Sequence, residues 1–168
     1  MSDAKIAYGV SADLTITLAS LATSADHTVG RESTAIDNSS NLFLDYLLGG
    51  KITTGTSPTD AKSIRVYVYG QVDDAPVYPD VFDGTDSAET VTSATIRDTC
   101  LKLAAILATN DTSDRTYWLP PISILNLFGG LVLPQRWGAF ITHDTGVNLN
   151  STGSNQALWA TGIYQTIV

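Results

Sequence analysis

The stretch SIRVYVYGQV, Ser63 to Val72, contains the clearest secondary-structure signal in this sequence. Branched apolar side chains occupy every second position, and charged or aromatic side chains occupy the positions between them: Ile64, Val66 and Val68 against Arg65, Tyr67 and Tyr69. Side chains of a β-strand point alternately to opposite faces of its sheet, so a period of two predicts a strand with one face in a core. The chain is therefore interpreted first as a sheet protein.

Weaker forms of the same pattern lie on both sides of this strand. Leu14, Ile16 and Leu18 alternate with threonine and alanine. Apolar residues follow Asn41, with a break expected at Gly49-Gly50. Further strands are expected around residues 32–36, in residues 137–143 and 147–149, and from residue 157 to the end.

Two segments have a more ambiguous pattern. TCLKLAAILAT, residues 99–109, fits both helical and strand spacing; we favour a strand, because its neighbours are strands and no N-cap signal is clean. In YWLPPISILNLFGG, Pro120-Pro121 before an apolar run and Gly129-Gly130 after it predict a helix of one or two turns. Together, these segments predict an all-β protein with about eight short strands and at most one short helix. We expect a β-sandwich, with a jelly roll as the most natural arrangement of eight strands.

The composition agrees with this fold and limits the partners. Charged residues make up 15% of the 168 residues, and the net charge is −8. Because DNA and RNA are bound by clustered Lys and Arg, no nucleic-acid partner is expected, and no basic amphipathic segment predicts a membrane surface. Cys100 is the single cysteine, which excludes an intramolecular disulfide and a cysteine-based zinc site. No secretion signal is recognised, so a soluble protein made in a reducing cytoplasm is expected. Residues 1–12 are predicted to form an N-terminal arm, and residues 13–168 a single sandwich domain.

The stretch PQRWGAFITHDTG gathers side chains that are common in active sites: Arg136, Trp137, His143 and Asp144. On a strand, however, His143 shares a face with Trp137 while Asp144 points the other way, so the two cannot pair as a base and its orienting carboxylate. The other histidine, His27, lies in a polar loop. We expect both histidines to be ordinary turn or rim residues.

Other catalytic and ligand-binding patterns are also missing from the sequence. It contains no nucleophile elbow and no phosphate-binding glycine loop, although paired carboxylates on separate strands would leave no local motif. No catalytic, cofactor-binding or metal-binding residue is predicted, and the chain is not expected to be an enzyme or to bind a cofactor.

Two groups of residues leave alternatives open. The acidic loop between Asp73 and Glu89 could offer oxygen ligands to calcium, but its spacing does not match a calcium-binding loop, and a solvated loop is favoured. Seven aromatic residues could form a sugar-stacking surface, although core or subunit contacts are favoured. They are Tyr67, Tyr69, Tyr78, Trp118, Trp137, Trp159 and Tyr164.

Three stretches together resemble small virion structural proteins of tailed bacteriophages, of the capsid decoration or cement type with jelly-roll folds. They are VGRESTAIDNSSNLFLD from Val29, FGGLVLPQRWGAFITHDTG from Phe128, and ATGIYQTIV from Ala160. The resemblance implies a subunit present in many copies on the capsid surface, assembled in the host bacterial cytoplasm. Its implied partners are the major capsid protein and copies of itself, as a trimer.

Within the same class, the alternative is a tail or neck component of the particle. From another class, the alternative is a carbohydrate- or receptor-binding sandwich module. The segments expected to reach other subunits are the N-terminal arm and the polar loops 23–41 and 73–92.

Overall fold

The computed structural model describes residues 3–167 and consists of two antiparallel sheets packed face to face. Its strands are β1 (Ala4–Tyr8), β2 (Ala12–Asp13), β3 (Val29–Glu32), β4 (Ile36–Asp37), β5 (Asp45–Thr53), β6 (Lys62–Gly70), β7 (Ala88–Thr90), β8 (Lys102–Thr109), β9 (Thr116–Ser123), β10 (Arg136–His143) and β11 (Ala157–Ile167). Two short α-helices accompany them, α1 (Ala94–Cys100) and α2 (Ile124–Leu127), with a 3₁₀ turn at Gly153–Asn155. The prediction of an all-β sandwich is confirmed.

The order of the strands gives the connectivity. Sheet A runs β1–β11–β5–β9, with β2 also beside β11, and sheet B runs β7–β3–β10–β6–β8, with β4 also beside β10. When the short strands β2, β4 and β7 are set aside, the chain alternates between the sheets except from β6 to β8, which are paired neighbours in sheet B, and this is the connectivity of a jelly roll. Parts of the first and last strands, β1 and β11, are neighbours, so both ends of the described chain lie at one edge of sheet A.

The core between the sheets is built from the alternation seen in the sequence. Ile64, Val66 and Val68 of β6 are fully buried there, and the matching face of β10 buries Trp137, Ala139 and Ile141 beside them. The Trp137 ring packs 5.4 Å from the ring of Tyr46 across the sandwich. Fully burying a large apolar side chain contributes about 1.5–3 kcal/mol, so this layer dominates the stability of the fold.

A second, smaller core lies on the other side of sheet B. Tyr67, Tyr69 and Phe140 point outward from the sheet and are covered by the segment that follows β6. That segment contributes Phe82, whose ring stacks 4.7 Å from the ring of Tyr69, together with Val91 and Leu101. The acidic loop, which the sequence predicted to be irregular, is therefore anchored to the sheet.

Several boundaries differ from the sequence prediction. Residues 14–18 alternate in burial but lie outside every strand, because this segment crosses from one sheet to the other: Leu14 donates its amide to Leu158 of sheet A, and the Thr15 carbonyl accepts from Thr34. The predicted break at Gly49-Gly50 was wrong, since β5 continues through both glycines. The predicted 147–149 strand is a single bridge between Leu149 and Thr54.

The ambiguous segment contains both a helix and a strand. Ser93 caps α1, its hydroxyl accepting from the Ile96 amide, and β8 begins after Leu101. The strand prediction is right for the second half, and the missed N-cap is Ser93. Pro120 and Pro121 lie within the edge strand β9 rather than at the start of a helix. The helix α2 follows as one turn, within the predicted one or two turns.

The predicted N-terminal arm contains a strand. Residues 4–8 pair with residues 163–167 of β11 along their whole length. Met1, Ser2 and Val168 lie outside the described residues.

Candidate functional site

The two sheets differ in what covers their outer faces. Sheet B is covered by the chain's own acidic loop and α1, whereas sheet A carries no such cover among residues 3–167. In β5 and β11 the residues of one parity enter the core, including Leu48 and Leu158, so those of the other parity face outward. The outward set is largely apolar. We call it the apolar face: Ile6, Tyr8, Leu47, Trp118, Pro121, Trp159 and Ile163.

Two tryptophans mark the centre of the apolar face. Trp118 on β9 is 65% exposed, and its ring lies 6.5 Å from the ring of Trp159 on β11, tilted by 24°. Leu47 and Pro121 lie beside Trp159 around a shallow depression. Exposed tryptophans clustered with other apolar side chains are typical of protein-binding or ligand-binding surfaces.

The apolar face continues onto a two-stranded ribbon. β11 extends past the start of β5 at Asp45, and beyond that point it is paired with β1 on one side. Ile6 and Tyr8 of this ribbon are 61% and 64% exposed. A two-stranded ribbon with an exposed apolar face is marginal by itself in water, which indicates a surface suited to contact with another chain.

The loop of residues 38–44 presents further apolar side chains next to the ribbon. The Asn38 side chain holds both ends of this turn, donating to the Phe43 carbonyl and accepting from the Phe43 amide, each at 2.9 Å. Leu42 is 73% exposed and has φ of 51°, a backbone conformation that leucine rarely adopts. Leu42 lines a shallow groove together with Leu131 and Val132, which are also exposed. The exposed Leu42 side chain therefore extends the apolar surface of sheet A beyond the ribbon.

Few charges interrupt the apolar face. Asp45 lies at its rim, but its carboxylate is occupied by the Ser123 hydroxyl at 2.6 Å and the Leu125 amide at 2.8 Å. Lys51 lies in register with Trp118 on the neighbouring strand, and Asp13 with Trp159.

The four residues of the candidate active-site stretch are not brought together. Arg136 pairs with Asp37 at 2.6 Å on the surface, and Trp137 lies in the core. His143 is fully buried, with its two ring nitrogens 3.0 Å from the Thr145 hydroxyl and the Leu21 carbonyl. The expectation of a rim position was therefore wrong for His143. Burial lowers the pKa of its imidazole.

The structure does bring His27, Ser63 and Asp144 together, which the sequence did not suggest. His27 lies in a turn, as predicted, but it is buried there, with 3% of its surface exposed. Its Nε2 lies 3.5 Å from the Ser63 hydroxyl and 3.7 Å from Oδ1 of Asp144. Burial, and secondarily the positive charge of Arg65, lower the pKa of His27 to about 4.

This cluster does not have the geometry of a catalytic triad. A triad places the nucleophile and the carboxylate on opposite ring nitrogens, whereas Ser63 and Asp144 both approach Nε2 of His27. Nδ1 is buried without a hydrogen-bond partner in the described part of the chain. The contacts of His27 are those of a buried side chain packed between a turn and the start of β6.

The acidic residues considered for calcium bind separate partners. Asp80 bonds to Thr92, and Asp83 to Thr85, each through a hydroxyl at 2.6 Å. Asp86 bonds to the Arg31 guanidinium, also at 2.6 Å. Across residues 3–167, no three or more Asp, Glu, His or Cys side chains gather at one point. Cys100, half-buried beside the smaller core, adds no ligand.

The seven aromatics divide between core and surface. Tyr67, Tyr69 and Trp137 are buried, Tyr78 packs against the second core, and the other three lie on sheet A. The favoured interpretation as core holds for the first four. Which tryptophans were exposed could not be seen from sequence, because all three lie in alternating or apolar stretches.

Comparison with known proteins adds no assignment: no family model, curated protein or solved structure matches this chain. Within the described residues, no helix is long and apolar enough to cross a membrane.

Proposed function

We propose that this chain is a virion structural protein of a tailed bacteriophage, a decoration or cement protein that binds the major capsid protein on the outside of the head. The observation that carries the proposal is the apolar face. One sheet of the sandwich is covered by the chain itself, and the other presents Trp118 and the ribbon residues Ile6 and Tyr8 to solvent. A jelly roll with one such face is suited to a subunit that is completed by its neighbours in a shell.

The resemblance of residues 29–45, 128–146 and 160–168 to phage virion proteins points to the same class. Two of these stretches contribute exposed apolar residues to one groove: Leu42 and Leu44 lie in the first stretch, and Leu131 and Val132 lie in the second. In this proposal the shell is contacted by the apolar face and by residues 38–44, which we call the Leu42 loop. The acidic loop lies on the far side and faces solvent, where its negative charge helps to keep particles apart.

The test is binding to expanded heads that lack the protein. Purified chain is mixed with such heads and sedimented, and we expect it to co-sediment to saturation. A variant with Leu42→Asp and Trp118→Asp changes only exposed side chains, so it should fold and lose most of the binding. Retained binding by this variant would remove the apolar face from the proposal, and failure of the natural chain to bind any head form would remove the proposal itself.

A carbohydrate-binding module is the second candidate, favoured by the Trp118–Trp159 pair. Sugar rings stack on exposed aromatic side chains, and Lys51 beside the pair could hydrogen-bond to hydroxyl groups. A glycan array distinguishes the two functions. Specific binding that is lost in Trp159→Ala would favour the module, and an array without any binding would set it aside. A tail or neck component, the alternative within the phage class, is distinguished by its location in the particle.

A further inference from the structure

The outer edge of the ribbon has main-chain groups that no other residue of the described chain uses. β1 is the last strand of sheet A on its side. Its pairing with β11 is antiparallel, and the Gly9 amide donates to the carbonyl of its direct partner, Gly162, at 2.8 Å. In an antiparallel pair, hydrogen-bonded and non-hydrogen-bonded positions alternate. Lys5 and Ala7 therefore turn their N–H and C=O groups toward β11.

The same alternation turns the main-chain groups of Ala4, Ile6 and Tyr8 away from β11. A second observation supports this assignment of free and bonded positions. Ile163 is the partner of Tyr8, and its carbonyl accepts a hydrogen bond from the Leu44 amide, on the side away from β1. Ala4, Ile6 and Tyr8 thus offer three N–H and three C=O groups along one open edge. An open edge of this kind is a template for another extended strand.

We propose that the occupant of this edge is a second copy of the chain, with β1 of each copy paired antiparallel about a two-fold axis through Ile6. An axis through any residue of β1, rather than between two residues, aligns free groups with free groups, but an axis through Lys5 or Ala7 engages only two of the three free positions of β1. An axis through Ile6 pairs Ile6 with its own copy and Ala4 with Tyr8, which uses all three free positions in about six main-chain hydrogen bonds.

The charges of the strand fit this register. Lys5 lies opposite Ala7 of the second copy and Asp3 lies opposite Gly9, so no like charges face each other directly. For a chain with a net charge of −8, an interface must avoid acidic pairs, and this one does. On the outer side, Ile6 meets Ile6 and Tyr8 meets Ala4, which joins the apolar faces of the two copies into one surface.

The proposal is independent of head binding and is tested on the purified chain alone. Sedimentation equilibrium should give twice the mass of one chain at micromolar concentration. Ile6→Lys and Ile6→Glu change an exposed side chain and leave the main chain free to pair. Each variant alone places like charges opposite each other at the axis, so each should be monomeric. An equal mixture of the two places Lys opposite Glu and should form the dimer again. Val10→Glu, a similar change at an exposed position outside β1, serves as the control and should remain dimeric.

Restored pairing in the mixture is specific to a two-fold axis at Ile6. The proposal would be overturned by a natural chain that stays monomeric, by a trimer, by dimers that persist in both single variants, or by a mixture that stays monomeric. A trimer would instead support the arrangement implied by the phage resemblance. None of these results would decide whether the chain binds heads, since that is measured on heads.

Discussion

The hydroxyl group of Tyr69 donates a hydrogen bond of 2.5 Å to Oε1 of Glu32, and both side chains are fully buried. The Glu32 carboxylate also accepts from the amides of Gly84, at 2.7 Å, and Asp83. This one carboxylate therefore fastens the acidic loop to the outer side of sheet B. Gly138 makes the contact possible, because a side chain at that position would overlap the Tyr69 hydroxyl.

Removal of the Tyr69 hydroxyl should destabilise the fold. Tyr69→Phe leaves a buried carboxylate oxygen with fewer donors, which costs about 1–3 kcal/mol of unfolding free energy. Urea denaturation followed by tryptophan fluorescence measures the change. Tyr78→Phe is the matched control, since the Tyr78 hydroxyl makes no hydrogen bond within residues 3–167. Equal losses in the two variants would contradict the role of the Glu32 contact.

The buried histidines should make stability fall on acidification. The pKa of His27 is lowered from its usual 6.5 to about 4, and that of His143 is lowered too, so the unfolded chain binds protons first as the pH falls. Their contribution is complete above pH 6.5 and is lost toward about pH 4, on the order of 1–3 kcal/mol for His27. Asp144 opposes this shift, whereas Arg65, Arg97 and His143 add to it.

Urea midpoints between pH 7 and pH 4 measure this effect. Burial raises the pKa of Glu32, so its protonation acts in the opposite direction and stabilises the folded state on acidification. His27→Gln isolates the histidine contribution and should flatten the profile. A natural chain whose midpoint stays constant or rises over this range, with the same slope in the variant, would show that His27 is not held neutral by the fold.

Calcium should leave the melting temperature unchanged. The carboxylates of Asp80, Asp83 and Asp86 are each engaged with their own hydroxyl or guanidinium partners, so a calcium ion would have to break those bonds before it gained ligands. Thermal melting with and without millimolar calcium, with magnesium as the control ion, checks this. A rise specific to calcium would establish the acidic loop as a binding site.

Truncation of two tryptophans should change the free energy of unfolding to very different extents. Trp137→Ala opens a cavity in the main core and should cost about 3–5 kcal/mol. Trp118→Ala removes an exposed ring and should change stability by no more than about 0.5 kcal/mol. In the proposed function, only the exposed residue contacts the shell, so Trp118→Ala should weaken head binding while its melting curve stays near that of the natural chain.

A variant Trp118→Ala that unfolds as readily as Trp137→Ala would show that sheet A is covered in the isolated chain. Stability and head binding have to be measured on the same preparations, because loss of folding also abolishes binding.

The fold could be predicted where a strand has one face in the core, because burial then imposes a period of two on the sequence. β6 and β10 are such strands, and their faces were assigned correctly. Residues 14–18 show the limit of that signal: an extended segment that crosses between sheets buries every second side chain as well. Local periodicity reports burial, and only the hydrogen-bond partners, which lie far away in the sequence, distinguish a strand.

The site depended on information that local sequence does not contain. His27 and Asp144 are more than a hundred residues apart, and they meet because the Ser24 amide donates to the His143 carbonyl at 2.7 Å, while the pairing of β10 with β6 adds Ser63. Likewise, Trp118 and Trp137 both lie in strand-forming stretches, yet one is exposed and the other is in the core. The Trp137 side chain faces the other sheet, whereas the Trp118 side chain lies on the outer face of its own sheet. Which face of a strand is covered depends on the whole fold.

The most direct test of the proposed function is to image expanded heads saturated with the purified chain and to count and locate the bound copies. We predict many copies per head, spread over the shell at symmetry-related positions, with the apolar face and the Leu42 loop turned toward the capsid protein. A few copies confined to one vertex or to the tail, or no density on the head at all, would contradict the decoration function.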